Sequence, residues 1–151
     1  MKTSKILLQI AAVLMLIHGL GHTIGHSGWK DSTDPIQQGV IRQMTGPKFP
    51  FMGVMRSMGE YFDGYGYACS IAMLLCTLVL WFTSGELYAS PGLAKKMILT
   101  MSVCLFAWGI DEVIFFFPFA ACTTLLAFIC TLGAFFLYRP GYVVTPELSV
   151  S

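Results

Sequence analysis

Three histidines, His18, His22 and His26, recur every fourth residue in the segment HGLGHTIGH. On an α-helix that spacing puts all three imidazoles on one face. Imidazole changes charge near neutral pH and ligates metals, so such a face suits proton transfer, a hydrogen bond to a polar ligand, or an ion. Asp111 and Glu112 lie within a second apolar stretch, and Glu60 and Asp63 stand at the head of a third. Ionisable residues in apolar spans are costly to keep and mark functional sites by default.

Depth decides whether these groups meet. At 1.5 Å rise per residue, His18 and His22 lie roughly 18 and 24 Å from the start of their apolar run at Ile6. Asp111 lies roughly 21 Å from the start of its run at Met97, at the same level. Glu60 and Asp63 enter from the opposite side, just above. The histidines and these four acids are therefore expected at one end of a bundle whose remaining length is almost wholly apolar.

Three chemistries are open to that cluster. In the first, hydrogen bonds between histidine and carboxylate simply satisfy both groups inside the bundle; the chain is then a non-catalytic membrane subunit or scaffold. In the second, an apolar pocket with a few convergent polar groups binds a small hydrophobic molecule or lipid. His22 or His18 would act as general base with Asp111 orienting the ring. Glu112, Glu60, Asp63, Met55, Met58 and Trp108 would line the site; the Phe- and Met-rich stretch from Phe49 to Met58 either extends the second span outward or folds over the bundle as a roof. No serine or cysteine stands in a nucleophile motif, so the reaction would be proton transfer or isomerisation. In the third, His22 and His26 bind a divalent metal such as zinc, or copper, with Glu60, Asp111 or Glu112 completing the shell. Met52, Met55 and Met58 offer thioethers to Cu(I). His18 and His26 are about 12 Å apart along the helix, too far to share one ion, and histidines confined to one helix exclude bis-histidine haem ligation between helices. Asp111 and Glu112 project about 100° apart, so at most one aims at the histidines.

Composition identifies the elements that position these groups. The chain has 56% hydrophobic and 11% charged residues and a mean hydropathy of +0.71, more apolar than a soluble core of this length can hide. Its net charge of +1, without a basic run, excludes a nucleic-acid partner. A bilayer core needs about 20 apolar helical residues, and four such runs occur, with helices expected at 6–26, 64–83, 96–117 and 119–138. Lys2, Lys5 and the run Ile6–Ile17 also fit the first two regions of a signal peptide, but an Ala-x-Ala cleavage site is missing, so the run is read as retained.

The fold class expected is all-α: one integral membrane four-helix bundle over 1–151, in the cell (cytoplasmic) membrane. Lys2, Lys5, Lys95, Lys96 and Arg139 fall on one side and Lys30, Arg42, Lys48 and Arg56 are spread through the long loop, which puts both termini in the cytoplasm. Trp29, Tyr61, Tyr65 and Tyr67 are expected as anchors at one interface, and Trp81, Tyr88 and Tyr138 at the other. Within the loop 27–63, Asp34-Pro35 is a helix start and Gly46-Pro47 a stop; Ile36, Val40, Ile41 and Met44 share a face, predicting a short interfacial amphipathic helix over about 35–45. The five cysteines, Cys69, Cys76, Cys104, Cys122 and Cys130, are odd in number, lack CxxC spacing and read as packing residues. Gly19, Gly21 and Gly25 permit close backbone approach, as do Gly64/Ala68 and Gly66/Ser70, a seam that also allows a homo-oligomer or another membrane subunit.

The HGLGHTIGH helix end, the long first loop and the acidic third span together resemble small bacterial four-helix membrane proteins. That resemblance implies the layout and brings no activity or site residue. Length and helix count are also similar to those of membrane-bound glutathione-transferase-like proteins, whose charged Arg/Glu/Asn signature these helices lack.

Overall fold

The structure is a computed structural model and describes residues 2–139. In chain order it comprises α1 (Lys2–Ser27), α2 (Pro35–Thr45), a hairpin of β1 (Lys48–Phe51) and β2 (Val54–Ser57), α3 (Met58–Glu86), α4 (Pro91–Phe115) and α5 (Pro118–Leu137). Four of the helices, α1, α3, α4 and α5, are long and apolar enough to cross a membrane.

Local signals account for the starts. Asp34 accepts a hydrogen bond from the Gln37 amide at the head of α2, and Pro35, Pro91 and Pro118 occupy first turns, where a missing N–H costs nothing. Helix α3 begins six residues before the expected start at 64. Ser57 and Glu60 form a reciprocal capping box there, each side chain bonding the other's backbone amide.

The described residues are mostly helical, as expected, and the hairpin is an addition to the expected elements. Lys48 pairs with Ser57 and Phe51 with Val54 across a two-residue turn at Met52 and Gly53, both with positive φ, as a tight hairpin requires. Phe49 stacks on Tyr61 and Phe51 meets it edge-on. The Phe/Met stretch therefore neither continues α3 nor closes the bundle; it leans on the flank of α3's first turns. Helix α2 covers its expected residues, and each of its apolar face residues is at least partly exposed.

Helix α1 is central, packed on α3 along one side and α5 along the other, with α4 against α5; α3 and α4 touch only sparsely. Polarity is inverted relative to a soluble bundle. Ile24, Ile71, Val103, Phe82 and Phe136 point outward and are exposed, while Ser84, Ser102, Thr124 and Thr131 are buried. Several of the buried hydroxyls donate to carbonyls one turn back, as Thr77 does to Met73, Ser102 to Ile98 and Thr131 to Ala127, so they need no partner helix. Leu8, Met15, Leu80, Ile98 and Leu105 form the tightly buried core.

Two side chains differ from expectation here. Tyr138 is buried, not an interface anchor, because its hydroxyl donates to the Leu87 carbonyl at 2.5 Å. Cys104 and Cys122 are exposed on outward faces rather than packed inside.

Candidate functional site

The histidine face of α1 looks toward the sparse side of the bundle. His18 is buried between two helices. Its Nδ1 lies 3.0 Å from the Thr124 hydroxyl of α5, and its Nε2 lies 3.4 Å from Glu112 Oε1 of α4. Glu112 is 2% exposed, and its second oxygen, Oε2, is buried without a hydrogen-bond partner among the described residues. One turn along α1, His22 Nε2 donates to the Gly66 carbonyl of α3 at 3.1 Å. A further turn on, His26 Nε2 donates to the Asp63 carbonyl at 3.3 Å, and its ring packs between Phe62 and Tyr67.

Gly66 makes this arrangement possible. A Cβ placed there would fall 2.1 Å from His26 Cε1. Only a bare backbone lets the His26 ring lie on α3 while the same residue's carbonyl takes the His22 proton. The Ser70 hydroxyl donates to that carbonyl as well, and Thr23 donates to Ser70, so α1 and α3 are joined by polar contacts over two turns.

Between α3 and α4 a cavity of about 680 Å³ opens onto this face. His18, Cys69, Met73, Trp108 and Glu112 line its inner part. Trp29, Phe62, Phe116, Phe117 and Phe119 come from near the ends of their helices at the mouth, with His22, His26 and Asp111 between. The two walls differ in height: α1 continues nine residues beyond His18, roughly 14 Å, whereas α4 ends three residues beyond Glu112, roughly 5 Å.

The expected site residues separate accordingly. His18, His22, His26, Asp111, Glu112 and Trp108 come together on the cavity. The carboxylate beside His18 is Glu112, however, and Asp111 lies on the exposed side of α4. Glu112 continues the inward series Ile98, Leu105, Gly109 at helical spacing, and Asp111 is one residue out of phase. Asp63 is drawn away from the cavity by the Trp29 indole at 2.7 Å and the Lys30 ammonium at 2.6 Å. Glu60 is held by the Ser57 cap and faces Lys48 and Arg56 at 3.5 and 3.6 Å, on the hairpin side of α3. Met55 and Met58 are exposed and absent from the cavity wall, so the Phe/Met stretch is no roof.

No family model, curated protein or solved structure matches the chain. The site must therefore be read from its own geometry.

That geometry corrects the metal expectation. Among the described residues no three His, Cys, Asp or Glu side chains converge to hold an ion. The proposed set of His22, His26 and Glu60 does not converge, because Glu60 is held by its cap and faces Lys48 and Arg56 on the hairpin side of α3. Thr124, Gly66 and the phenylalanines of the α4–α5 turn were not expected at the site. Thr124 is one of three threonines in an otherwise apolar helix, with nothing to single it out; Gly66 was legible only as a small residue favouring close packing.

Proposed function

We propose that this chain is a multi-pass protein of the cell membrane that binds a small molecule with an apolar body in the cleft between α3 and α4. The cavity of about 680 Å³ beside His18 and Glu112 carries this reading. It lies in the range of roughly 300–1,000 Å³ typical of pockets that bury drug-sized ligands, and it joins apolar walls to a few polar groups in the usual way. Both termini face the cytoplasm by the distribution of Lys and Arg, so the mouth opens toward the outer leaflet. Helix α2, with Ile36 and Val40 exposed, lies on the membrane surface beside it.

The rival is a subunit in which the histidine network only ties helices together, and it draws support from the partners that each histidine already has. Filling the cavity separates the two. A Cβ at Gly21 or Gly25, both on the cavity wall, meets nothing within 4 Å, so Gly21→Leu/Gly25→Leu is expected to fold. Native mass spectrometry with N-phenyl-1-naphthylamine, a neutral apolar probe, should give one saturable equivalent on the wild type and none on the filled variant. Equal binding to both proteins would refute the cleft as the site.

A further inference from the structure

The cavity carries a charge imbalance. A carbonyl oxygen only accepts, so the Nε2 atoms of His22 and His26, facing the Gly66 and Asp63 carbonyls, carry hydrogens. His18 Nε2 faces a carboxylate oxygen and its Nδ1 faces a hydroxyl able to donate. All three imidazoles thus direct Nε2 at an oxygen, and none of these contacts brings a basic side chain to the cavity. Neither Lys nor Arg is among the residues lining the cavity; Lys30, the nearest by sequence, is taken by Asp63. Asp111 and Glu112 remain, and Glu112 Oε2 is buried with no partner among the described residues.

An ionised carboxylate buried without a cation is strongly unfavourable, so the empty cleft needs a proton on Glu112 and an occupied one can replace that proton by a positive charge. The rest of the wall favours the second exchange. Trp108, Phe62, Phe116, Phe117 and Phe119 supply aromatic rings, whose faces attract cations most strongly where water is excluded; the Trp29 ring already holds the Lys30 ammonium at 5.3 Å. A metal ion would need converging donors that this wall lacks among the described residues, and an acidic lipid would meet no basic side chain.

We infer that the cleft takes a lipophilic organic cation, an amine or quaternary onium with an apolar body, in exchange for the proton of Glu112. The inference rests on the binding reading above. The groups facing Glu112 are His18 and His22 from α1, Trp108 and Asp111 from α4 and the hydroxyl of Thr124 from α5, with Cys69 of α3 on the same cavity wall. One proton leaves to water for each cation bound, so affinity rises with pH by up to about tenfold per unit.

Tetraphenylphosphonium and tetraphenylborate, alike in shape and opposite in charge, test this. Calorimetry on the purified protein in uncharged detergent should show the cation binding at least about tenfold tighter, the scale of one desolvated charged contact. Repeating it in buffers of different ionisation enthalpy should show one proton released per cation. Glu112→Gln should abolish both the preference and the release; Asp111→Asn, at an exposed position, should lower the preference several-fold and serves if the first variant does not accumulate. Equal or tighter binding of the borate, or a preference that survives both variants, overturns the inference. If neither ion binds while the neutral naphthylamine still does, the ligand class is wrong and the cleft stands. If the naphthylamine binds the leucine-filled variant as well as the wild type, the binding reading itself fails.

Discussion

Gly66→Ala probes the joint that holds the histidine face against α3. The new methyl carbon would lie 2.1, 2.2 and 2.4 Å from three atoms of the His26 ring, far inside van der Waals contact. The ring cannot slide aside, because Phe62 and Tyr67 flank it at 5.1 and 5.3 Å and the parallel His22 ring lies 5.8 Å away. Overpacking of this kind costs about 1–3 kcal/mol, and breaking the bond to the Asp63 carbonyl adds about 1 kcal/mol. The gain from replacing a helical glycine offsets up to about 1 kcal/mol. The net expectation is a loss of about 1–4 kcal/mol, read by following tryptophan fluorescence through denaturant unfolding. Gly64→Ala is the control, since a Cβ there meets nothing within 4 Å, and it should be neutral or slightly stabilising. His26→Ala in the Gly66→Ala background vacates the space the methyl needs, so the double variant should recover at least about 1 kcal/mol relative to additivity. If Gly66→Ala matches Gly64→Ala, or His26→Ala brings no relief, the packing account of this joint is wrong.

Three further expectations concern neighbouring contacts. His18→Ala leaves the buried carboxyl of Glu112, 2% exposed, without its facing imidazole and should destabilise by about 1–3 kcal/mol; Glu112→Gln, which keeps a polar group facing the ring, should cost less, which paired unfolding curves will read. Tyr138→Phe removes the hydroxyl bound to the Leu87 carbonyl and should cost about 1 kcal/mol in the same assay. Ser57→Ala breaks the cap of α3, worth about 1 kcal/mol, and hydrogen exchange should quicken at the first turn of α3 while α4 and α5 are unchanged.

The four long helices were legible because runs of about 20 apolar residues between polar or proline breaks have few other uses. The end at which chemistry would gather was legible too, since helical rise converts residue number into depth. What the sequence hid was rotation. Helix α4 is apolar all round, so no polar face announced its phase, and Glu112 rather than its neighbour Asp111 turned inward. The series from Ile98 through Leu105 and Gly109 held that phase, readable once small residues are taken as inward-facing. The start of α3 was also written in the chain: Ser57 and Glu60 stand at capping-box spacing. Thr124 could not have been found, because its role depends on how α5 meets α1.

The central claim is an open, occupied cleft between α3 and α4. The most direct measurement is an experimental structure of the protein extracted with its surrounding lipid and without added ligand. The account expects α3 and α4 to stand apart at the histidine end, with non-protein density against Trp108, His22 and Glu112. Helices α3 and α4 packed together there, with side chains filling the space beside His18, would contradict it.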